Sequence, residues 1–365
     1  MPSLYIHIPF CASICGYCDF CAMPVPERLH SEYVDLVLRE LEARAKDGLA
    51  NFETAYLGGG SPSVLSAANL RKLLTGLQKQ GLRKKELKEF SMEWNPEQVS
   101  EEKINIALEF GINRFSLGIQ SLNDNLLKML GREHSAKTAL AAFEKLNSAF
   151  GTGNCDLMFC LPNQSVKNFL SDVKTLVSLR AKHISFYGLA LEKGKKLPPQ
   201  PEDLYPEMYL KAVKILSKAK LDRYEVSNFA LHGHESKHNQ VYWKRGSYLG
   251  AGPSAHSYLN GIRSYVEGKY APWKKWVMNG CPQSGLTEDI PSAEGKEMEA
   301  VWLSLRTREG LPLKDYEREF GKEFDMKKAK PFIEKKWLKL DRNGYIRLNG
   351  EGWLWLDKIF LYSFS

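Results

Sequence analysis

Three cysteines stand close together near the start of the chain, at Cys11, Cys15 and Cys18. Thiolates are soft ligands of the kind that bind zinc and iron–sulfur clusters. In a [4Fe–4S] cluster three cysteines leave one iron open. An open iron can chelate a small molecule that carries an amine and a carboxylate, as S-adenosylmethionine (SAM) does. A zinc site, which would need a fourth ligand, and a group of free thiols are the alternatives.

A fourth cysteine, Cys21, follows three residues after Cys18. It either completes the ligand set, which would close the open iron, or stands beside it. We favour the second interpretation because the triplet is already sufficient. Cys155, Cys160 and Cys281 are isolated, and isolated cysteines are usually small core residues. Seven cysteines, an odd number, are not typical of a secreted disulfide framework.

The elements that must position these cysteines alternate between strands and helices. Strand-like runs cover residues 4–8, 54–57, 89–93, 114–119, 155–159 and 183–189. Helical periodicity covers residues 33–44, 67–80, 101–110, 136–150 and 166–178. This alternation predicts an α/β protein with parallel βαβ units. Six units are too few for a closed eight-unit barrel of about 250 residues, so we predict a partial (β/α)6 barrel.

The second half of the chain has a different character. We predict a loop at 193–206, a helix at 207–220 and an irregular stretch at 224–270 that is rich in glycine, histidine and aromatic residues. Helices at 295–306, 314–320 and 327–336 and a hairpin around Arg342-Asn343-Gly344 then indicate a small winged-helix-like domain, which an amphipathic segment at 352–362 closes. The predicted domains are therefore 1–225, 226–290 and 291–365.

Composition sets limits on the class of protein. The chain has 365 residues, of which 43% are hydrophobic and 26% charged, and its net charge is +8. No apolar run is long enough to span a bilayer and no signal peptide is evident, so we expect a cytoplasmic protein. The basic balance agrees with an anionic ligand and with peripheral contact to a membrane surface. The C-terminal module has nearly balanced charges, so we expect no nucleic-acid partner and set aside an RNA-modifying enzyme.

The cysteine motif, Cys11-x3-Cys15-x-Tyr17-Cys18, resembles the signature of the radical SAM superfamily. The longer string LYIHIPFC at 4–11, followed by CDF at 18–20, resembles the branch that contains the oxygen-independent coproporphyrinogen III oxidases and the heme chaperones of the HemW family. The resemblance continues through GGGSPS at 58–63, MEWNP at 92–96, GINR at 111–114, SLGIQS at 116–121, LGREH at 130–134 and DLM at 156–158. It ends with His238-Asn239-x2-Tyr242-Trp243 and Gly250-x-Gly252-x3-His256, so it covers nearly the whole chain.

The resemblance implies a [4Fe–4S] cluster on the three cysteines and a SAM pocket beside it. Functional residues of such barrels lie at the carboxyl ends of strands, where several polar residues of this chain are predicted. The implied set consists of Tyr5 and Tyr17 beside the cluster, Gly59, Gly60 and Ser61 at the methionine part of SAM, and Glu93, Gln120, Arg132 and Asp156 around the rest of the pocket.

His238 is the candidate heme ligand, because imidazole is a common axial ligand and the neighbouring Tyr242 and Trp243 could cover a macrocycle. The alternative is a buried, hydrogen-bonded histidine among core aromatics. His232 and His234 suggest a second metal site, although no other ligand is obvious nearby.

We therefore expect a chaperone that binds heme and passes it to acceptor hemoproteins, with a one-electron donor as a further partner. Whether the chain is also an enzyme stays open, and we assign no catalytic residue. The alternative function is oxygen-independent oxidation of coproporphyrinogen III. That branch carries a longer segment before its cysteines and has its fourth cysteine two residues after the third, whereas Cys21 lies three residues after Cys18.

Overall fold

The computed structural model describes residues 2–24, 26–45, 48–189 and 201–364. Its first half alternates strands and helices. The strands are β1 (Ser3–Ile8), β2 (Thr54–Gly59), β3 (Glu89–Trp94), β4 (Arg114–Gln120), β5 (Gly153–Phe159) and β6 (His183–Gly188). The helices are α1 (Arg28–Arg44), α2 (Ala67–Lys79), α3 (Glu101–Glu109), α4 (Asp124–Leu130), α5 (Ala136–Phe150) and α6 (Val166–Ser178). All six predicted strands and all five predicted helices are confirmed within a few residues.

Most of these helices have a serine as their N-cap residue. Ser66, Ser100, Ser135 and Ser165 each accept a hydrogen bond from a backbone N–H in the first turn of the helix that follows. α2 begins at Ala67, as predicted, and is preceded by a short 3-10 turn at Pro62–Val64.

The six strands pair in parallel and in chain order. β1 and β6 do not close on each other, since β1 also pairs with β9 (Tyr248–Ala251) and β6 with β8 (Asn228–Ala230). The result is an open sheet, which confirms the partial (β/α)6 core. The carboxyl ends of β1 to β6 share one edge, and the cysteine loop follows β1 at that edge.

The elements after β6 extend this sheet. They are α7 (Tyr205–Lys218), β7 (Asp222–Arg223), β8, α8 (Lys237–Trp243), β9, β10 (His256–Leu259), β11 (Ile262–Tyr265), α9 (Tyr270–Met278) and β12 (Thr287–Asp289). The prediction of an irregular stretch at 224–270 was wrong. Its strands have only three or four residues, too few to show a period in the sequence. Of the predicted loop at 193–206, residues 193–200 lie outside the described ranges, and α7 already begins at Tyr205.

The C-terminal end forms a small sheet with helices around it. The elements are α10 (Ala293–Leu305), β13 (Leu311–Pro312), α11 (Leu313–Phe320), α12 (Met326–Glu334), β14 (Leu338–Leu340), β15 (Tyr345–Leu348) and α13 (Leu356–Phe364). The predicted hairpin is confirmed: β14 and β15 are antiparallel, and Gly344 adopts a positive φ of 79° in the turn between them. No helix in the described part of the chain is long and apolar enough to cross a membrane.

The parallel strands are buried on both faces, but the two faces differ in chemistry. In β3, Phe90, Met92 and Trp94 belong to the hydrophobic core. The alternate residues Ser91 and Glu93 line a polar cavity inside the curved sheet. Strands covered on both faces usually carry apolar residues on both. The polar alternate positions therefore mark the interior of the sheet as the place for a polar ligand.

Candidate functional site

The cysteine loop is held at several points by backbone hydrogen bonds. The Cys11 N–H donates to the Met23 carbonyl at 3.2 Å, and the Met23 N–H donates to the Pro9 carbonyl at 2.7 Å. Between these anchors the Gly16 N–H donates to the Leu130 carbonyl, the last residue of α4, at 3.2 Å. The loop is thus fixed both to the end of β1 and to α4.

The three thiols of Cys11, Cys15 and Cys18 are partly exposed and form no disulfide. Burial raises the pKa of Cys11 to about 12, and the nearby thiols of Cys18 and Cys15 add to this increase. Three thiolates at this place would therefore repel each other, and bound metal would relieve the repulsion, because thiols bind metal as thiolates. The donor set fits an iron–sulfur cluster.

A single metal ion fits the described residues less well. Within those ranges, no three His, Cys, Asp or Glu side chains are placed to hold one metal ion. In a cubane cluster each cysteine binds its own iron, so the three thiols need not converge on one point. The zinc alternative therefore gains no support from this arrangement.

Cys21 is held through its backbone carbonyl group. The His7 Nε2–H donates to the Cys21 carbonyl at 2.8 Å, while His7 Nδ1 accepts from the Tyr5 hydroxyl at 3.0 Å. The charge of the Cys21 thiol is among the causes that raise the pKa of Tyr5, after burial and Glu93. These contacts fit a residue beside the cluster site.

Arg132 lies directly beside the cysteine loop. Its Nη1 is 3.6 Å from Cys15 Sγ, and its Nη2 donates to Asn95 Oδ1 at 2.8 Å and to the Gly118 carbonyl at 3.0 Å. Tyr17 packs against an apolar cluster that includes Leu130. Burial raises the pKa of Tyr17, and the Arg132 cation opposes that increase. A fixed cation therefore stands next to the predicted cluster.

Gln120 lies close to Arg132 because the strand β4 is irregular near its end. The pairing register of β4 with β5 shifts between Gly118 and Gln120, and Gln120 has a positive φ of 64°. A Cβ at Gly118 would lie 3.0 Å from Gln120 Nε2 and 3.5 Å from Arg132 Nη2. The bulge thus places the Gln120 amide close to the Arg132 guanidinium.

The glycine stretch after β2 packs against the cysteine loop. The Gly60 N–H donates to the Ile8 carbonyl at 2.8 Å, and the Ser61 N–H donates to the Phe10 carbonyl at 2.7 Å. A Cβ on Gly60 would lie 2.6 Å from the Phe10 carbonyl oxygen. Gly59 has a φ of 113° and donates to Glu93 Oε2 at 3.1 Å. Because these N–H groups are engaged, this stretch can meet a ligand amine through its carbonyl groups.

Two half-buried carboxyl groups lie inside the sheet below this edge. Burial raises the pKa of Glu93 to about 7, although the hydrogen bond from Tyr56 lowers it. The charge of Asp156 adds to the increase. Burial likewise raises the pKa of Asp156 to about 6. Asp156 accepts from Ser116 Oγ at 2.9 Å and from Asn154 Nδ2 at 2.7 Å. Both carboxyl groups can therefore change charge near neutral pH.

Glu93 and Asp156 line one polar cavity of about 80 Å³. The sequence analysis did not assign several residues that share it: Tyr56, Ser91, Arg114, Ser116, Asn154, His183, Tyr187, Asn228, Ser236 and Asn239. A signal for many of them was present, because they occupy alternate positions of strands that are otherwise apolar. The sequence analysis also gave no role to Asn95, although its motif was recognised.

His238 lies at the other end of the strands, in α8. The Thr54 hydroxyl donates to Ser3 Oγ, so His238 Nδ1–H donates to Thr54 Oγ1, at 2.8 Å. His238 Nε2 then accepts from the Tyr242 hydroxyl at 2.8 Å. The side chain is 1% exposed, and burial lowers its pKa to about 4. This is the buried, hydrogen-bonded histidine of the alternative interpretation, with no ring nitrogen free for iron in this arrangement.

The structure therefore separates the predicted site residues into two groups. One group gathers around the carboxyl edge of the sheet and the interior just below it: Tyr5, Cys11, Cys15, Tyr17, Cys18, Gly59, Gly60, Ser61, Glu93, Gln120, Arg132 and Asp156. The second group consists of His238, which contacts the first residue of β2 instead.

A C-x3-C-x2-C loop at the carboxyl edge of six parallel strands, above two half-buried carboxyl groups, defines a protein of the radical SAM class. The family model of the Radical SAM superfamily matches residues 5–176, and that of the HemN C-terminal domain matches residues 298–355. The heme chaperone HemW of Bacillus subtilis is 36% identical over 342 residues, covering 89% of this chain and 88% of that protein. The heme chaperone HemW of Lactococcus lactis is 35% identical and covers 88% and 86%. The chain belongs to the HemW family.

Among solved structures, the coproporphyrinogen III oxidase HemN of Escherichia coli, a radical SAM enzyme, has a TM-score of 0.84 to this chain. It is 20% identical and covers 100% of this chain and 90% of that one. This likeness shows the fold, which includes the small C-terminal domain. Membership in the radical SAM superfamily implies a [4Fe–4S] cluster and SAM.

Proposed function

We propose that this protein is a heme chaperone, which binds a [4Fe–4S] cluster, SAM and heme and transfers heme to acceptor hemoproteins. The observation that carries the proposal is the identity of 35–36% to two relatives named as heme chaperones, over 88–89% of the chain. We propose the cytoplasm as its compartment, since thiols that hold a cluster must stay reduced.

In this proposal Cys11, Cys15 and Cys18 hold the cluster, with Tyr5 and Tyr17 packed beside it. When bound, the cluster supplies an open iron and the capacity for one-electron transfer, for which a donor protein is a further partner. The chain itself contributes binding and orientation. Glu93 and Asp156 line the cavity and offer negative charge to a cationic ligand.

The remaining residues of the pocket would orient SAM. Gln120 and Arg132 present an amide and a guanidinium beside the cysteine loop, where they can bind the carboxylate and hydroxyl groups of the ligand. The carbonyl groups of Gly59, Gly60 and Ser61 can accept from its amine. These roles require the glycine stretch to stay close to the cysteine loop. The close approach of Gly60 to Phe10 keeps them together.

A surface of α13 supports the proposed peripheral contact with a membrane. Leu361 and Tyr362 are each 65% exposed, Trp355 is 37% exposed, and the Lys358 ammonium lies 5.5 Å from the Trp355 ring. Aromatic and aliphatic side chains next to lysines suit the boundary between lipid headgroups and acyl chains.

Three assays performed side by side test the proposed function. Anaerobic reconstitution should give about four irons per chain. The Cys11→Ala, Cys15→Ala and Cys18→Ala variants should lose the cluster, while Cys21→Ala keeps it. Heme titration should give a Soret band, and the heme should pass to an apo-hemoprotein. A protein that binds no heme but converts coproporphyrinogen III under reducing conditions would be an oxidase, contrary to the proposal.

A further inference from the structure

Arg114 is a buried cation inside the sheet. It is the first residue of β4, is 5% exposed, and lines the same polar cavity as Glu93 and Asp156. Its Nη1 donates to the His234 carbonyl at 3.0 Å. Within residues 2–24, 26–45, 48–189 and 201–364, no Asp or Glu side chain forms an ion pair with this guanidinium. A buried charge usually has a partner, because removing it from water without one is costly.

Asp156 is not the counterion of Arg114. Burial raises the pKa of Asp156 to about 6, and the charge of Arg114 opposes this increase only in part. The two carboxyl oxygens of Asp156 accept instead from Ser116 Oγ at 2.9 Å and from Asn154 Nδ2 at 2.7 Å. The positive charge of Arg114 is therefore available to a ligand that enters the cavity.

Other polar side chains of the cavity are engaged with one another. The His183 Nδ1–H donates to Asn154 Oδ1 at 2.6 Å, and its Nε2 accepts from the Tyr224 hydroxyl at 2.8 Å. Asn239 differs, because it lines the cavity and its side-chain amide makes no hydrogen bond with a described residue. The cavity thus offers unused N–H donors on a guanidinium and on an amide, and such donors suit an anion.

The carboxylate of SAM does not fill this place in the proposed function. Arg114 and Gln120 stand at opposite ends of β4, and its seven residues span about 20 Å. The SAM carboxylate would lie at the Gln120 end, beside the cysteine loop and Arg132. The cation at Arg114 therefore requires a different anionic group.

We propose that the interior of the sheet binds a small organic carboxylate, which Arg114 holds through two parallel N–H···O hydrogen bonds. A planar guanidinium matches a carboxylate in this way. The cavity of about 80 Å³ fits a ligand of few non-hydrogen atoms, since a water molecule occupies about 30 Å³ in the liquid. Glu93 and Asp156 disfavour an anion of higher charge, such as phosphate, when they are ionised. Neither SAM nor heme needs this ligand, so the site adds a binding function to the proposed one.

Isothermal titration of the cluster-loaded protein at constant ionic strength tests the class of ligand, with acetate and propionate as probes. Acetamide and propionamide have the same shape without the charge, and they should bind at least about tenfold more weakly. Inorganic phosphate should also bind more weakly than acetate. The proposal is overturned if neither carboxylate binds, if acetate and acetamide bind equally well, or if phosphate binds more tightly than acetate.

Arg114→Gln tests the residue. Glutamine can still donate to the His234 carbonyl but has no charge, so the affinity for acetate should fall at least about tenfold. Arg223→Gln is the matched control, because Arg223 is a partly buried arginine that packs on Trp353 and does not line the cavity. It should bind acetate like the wild type. Unchanged acetate affinity in Arg114→Gln, or an equal loss in Arg223→Gln, would contradict the assignment.

Two further measurements separate this site from the SAM site and from effects on folding. SAM affinity should stay unchanged in Arg114→Gln, and a parallel loss of SAM binding would place Arg114 in the SAM site instead. If Arg114→Gln does not fold, Arg114→Lys decides. Lysine keeps the charge but cannot form two parallel hydrogen bonds, so acetate should bind at least about threefold more weakly, and wild-type affinity would refute the proposed contact.

Discussion

The contact between the glycine stretch and the cysteine loop makes Gly60→Ala the most direct test of how the cluster site is assembled. A Cβ at Gly60 would lie 2.6 Å from the Phe10 carbonyl oxygen and 3.0 Å from two further backbone atoms of Phe10. Ordinary contact begins at 3.4 Å, so one backbone must move by about 0.8 Å. The movement would stretch the hydrogen bonds from Gly60 to Ile8 and from Ser61 to Phe10.

Overpacking of this kind costs about 1–3 kcal/mol, less than the stability of a typical domain, so the variant should fold. Its cluster content should fall steeply, because Cys11 directly follows the displaced Phe10. The measurements are iron and sulfide per chain after anaerobic reconstitution, and the free energy of unfolding in denaturant. Gly295→Ala is the control, since its nearest contact is 3.3 Å, to a side-chain oxygen, and it should keep the cluster. Wild-type cluster content together with unchanged stability in Gly60→Ala would refute the reasoning.

Three further predictions concern charge and surface. SAM is cationic, so its affinity should rise as pH increases through about 7, where Glu93 ionises, and isothermal titration should find this rise absent in Glu93→Gln. His238 is neutral when folded, with a pKa of about 4 against 6.5 unfolded, so the wild type should lose about 3 kcal/mol of unfolding free energy as pH falls from 7 to 4. His238→Gln should lack that part of the pH dependence, and equal slopes would argue against a buried neutral ring. Leu361→Ser should weaken binding to anionic vesicles about tenfold in a flotation assay, whereas Met278→Ser, at an exposed site elsewhere, should not.

The central strands could be predicted from sequence because one face of each carries an apolar residue at every second position. Leu4, Ile6 and Ile8 form this face in β1. α4 was missed because it has only seven residues between its cap at Asn123 and Gly131, which is too short for a helical period to emerge. The short strands that extend the sheet were missed for the same reason. The assignment of domains 1–225, 226–290 and 291–365 stays a prediction.

Spacing alone predicts the cysteine triplet as a ligand set, since its members are close in sequence, and this assignment stays a prediction. The state of His238 could not be read in this way, because its partner Thr54 is 184 positions away. The polar residues inside the sheet could be predicted in part. Arg114, Ser116 and His183 alternate with apolar neighbours on predicted strands, so the pattern of two could have placed them inside the sheet.

Tyr56 contacts residues of two motifs that lie at opposite ends of the strands. Its ring stacks on His238 at a centroid distance of 5.1 Å, and its hydroxyl donates to Glu93 Oε1 at 2.9 Å. Loss of charge on Glu93 weakens the second contact, while a shift of α8 disturbs the first. Since Tyr56 is fixed on a central strand, neither end can change without acting on this side chain. A ligand that changes the charge of Glu93 and a movement of α8 would therefore both act on Tyr56.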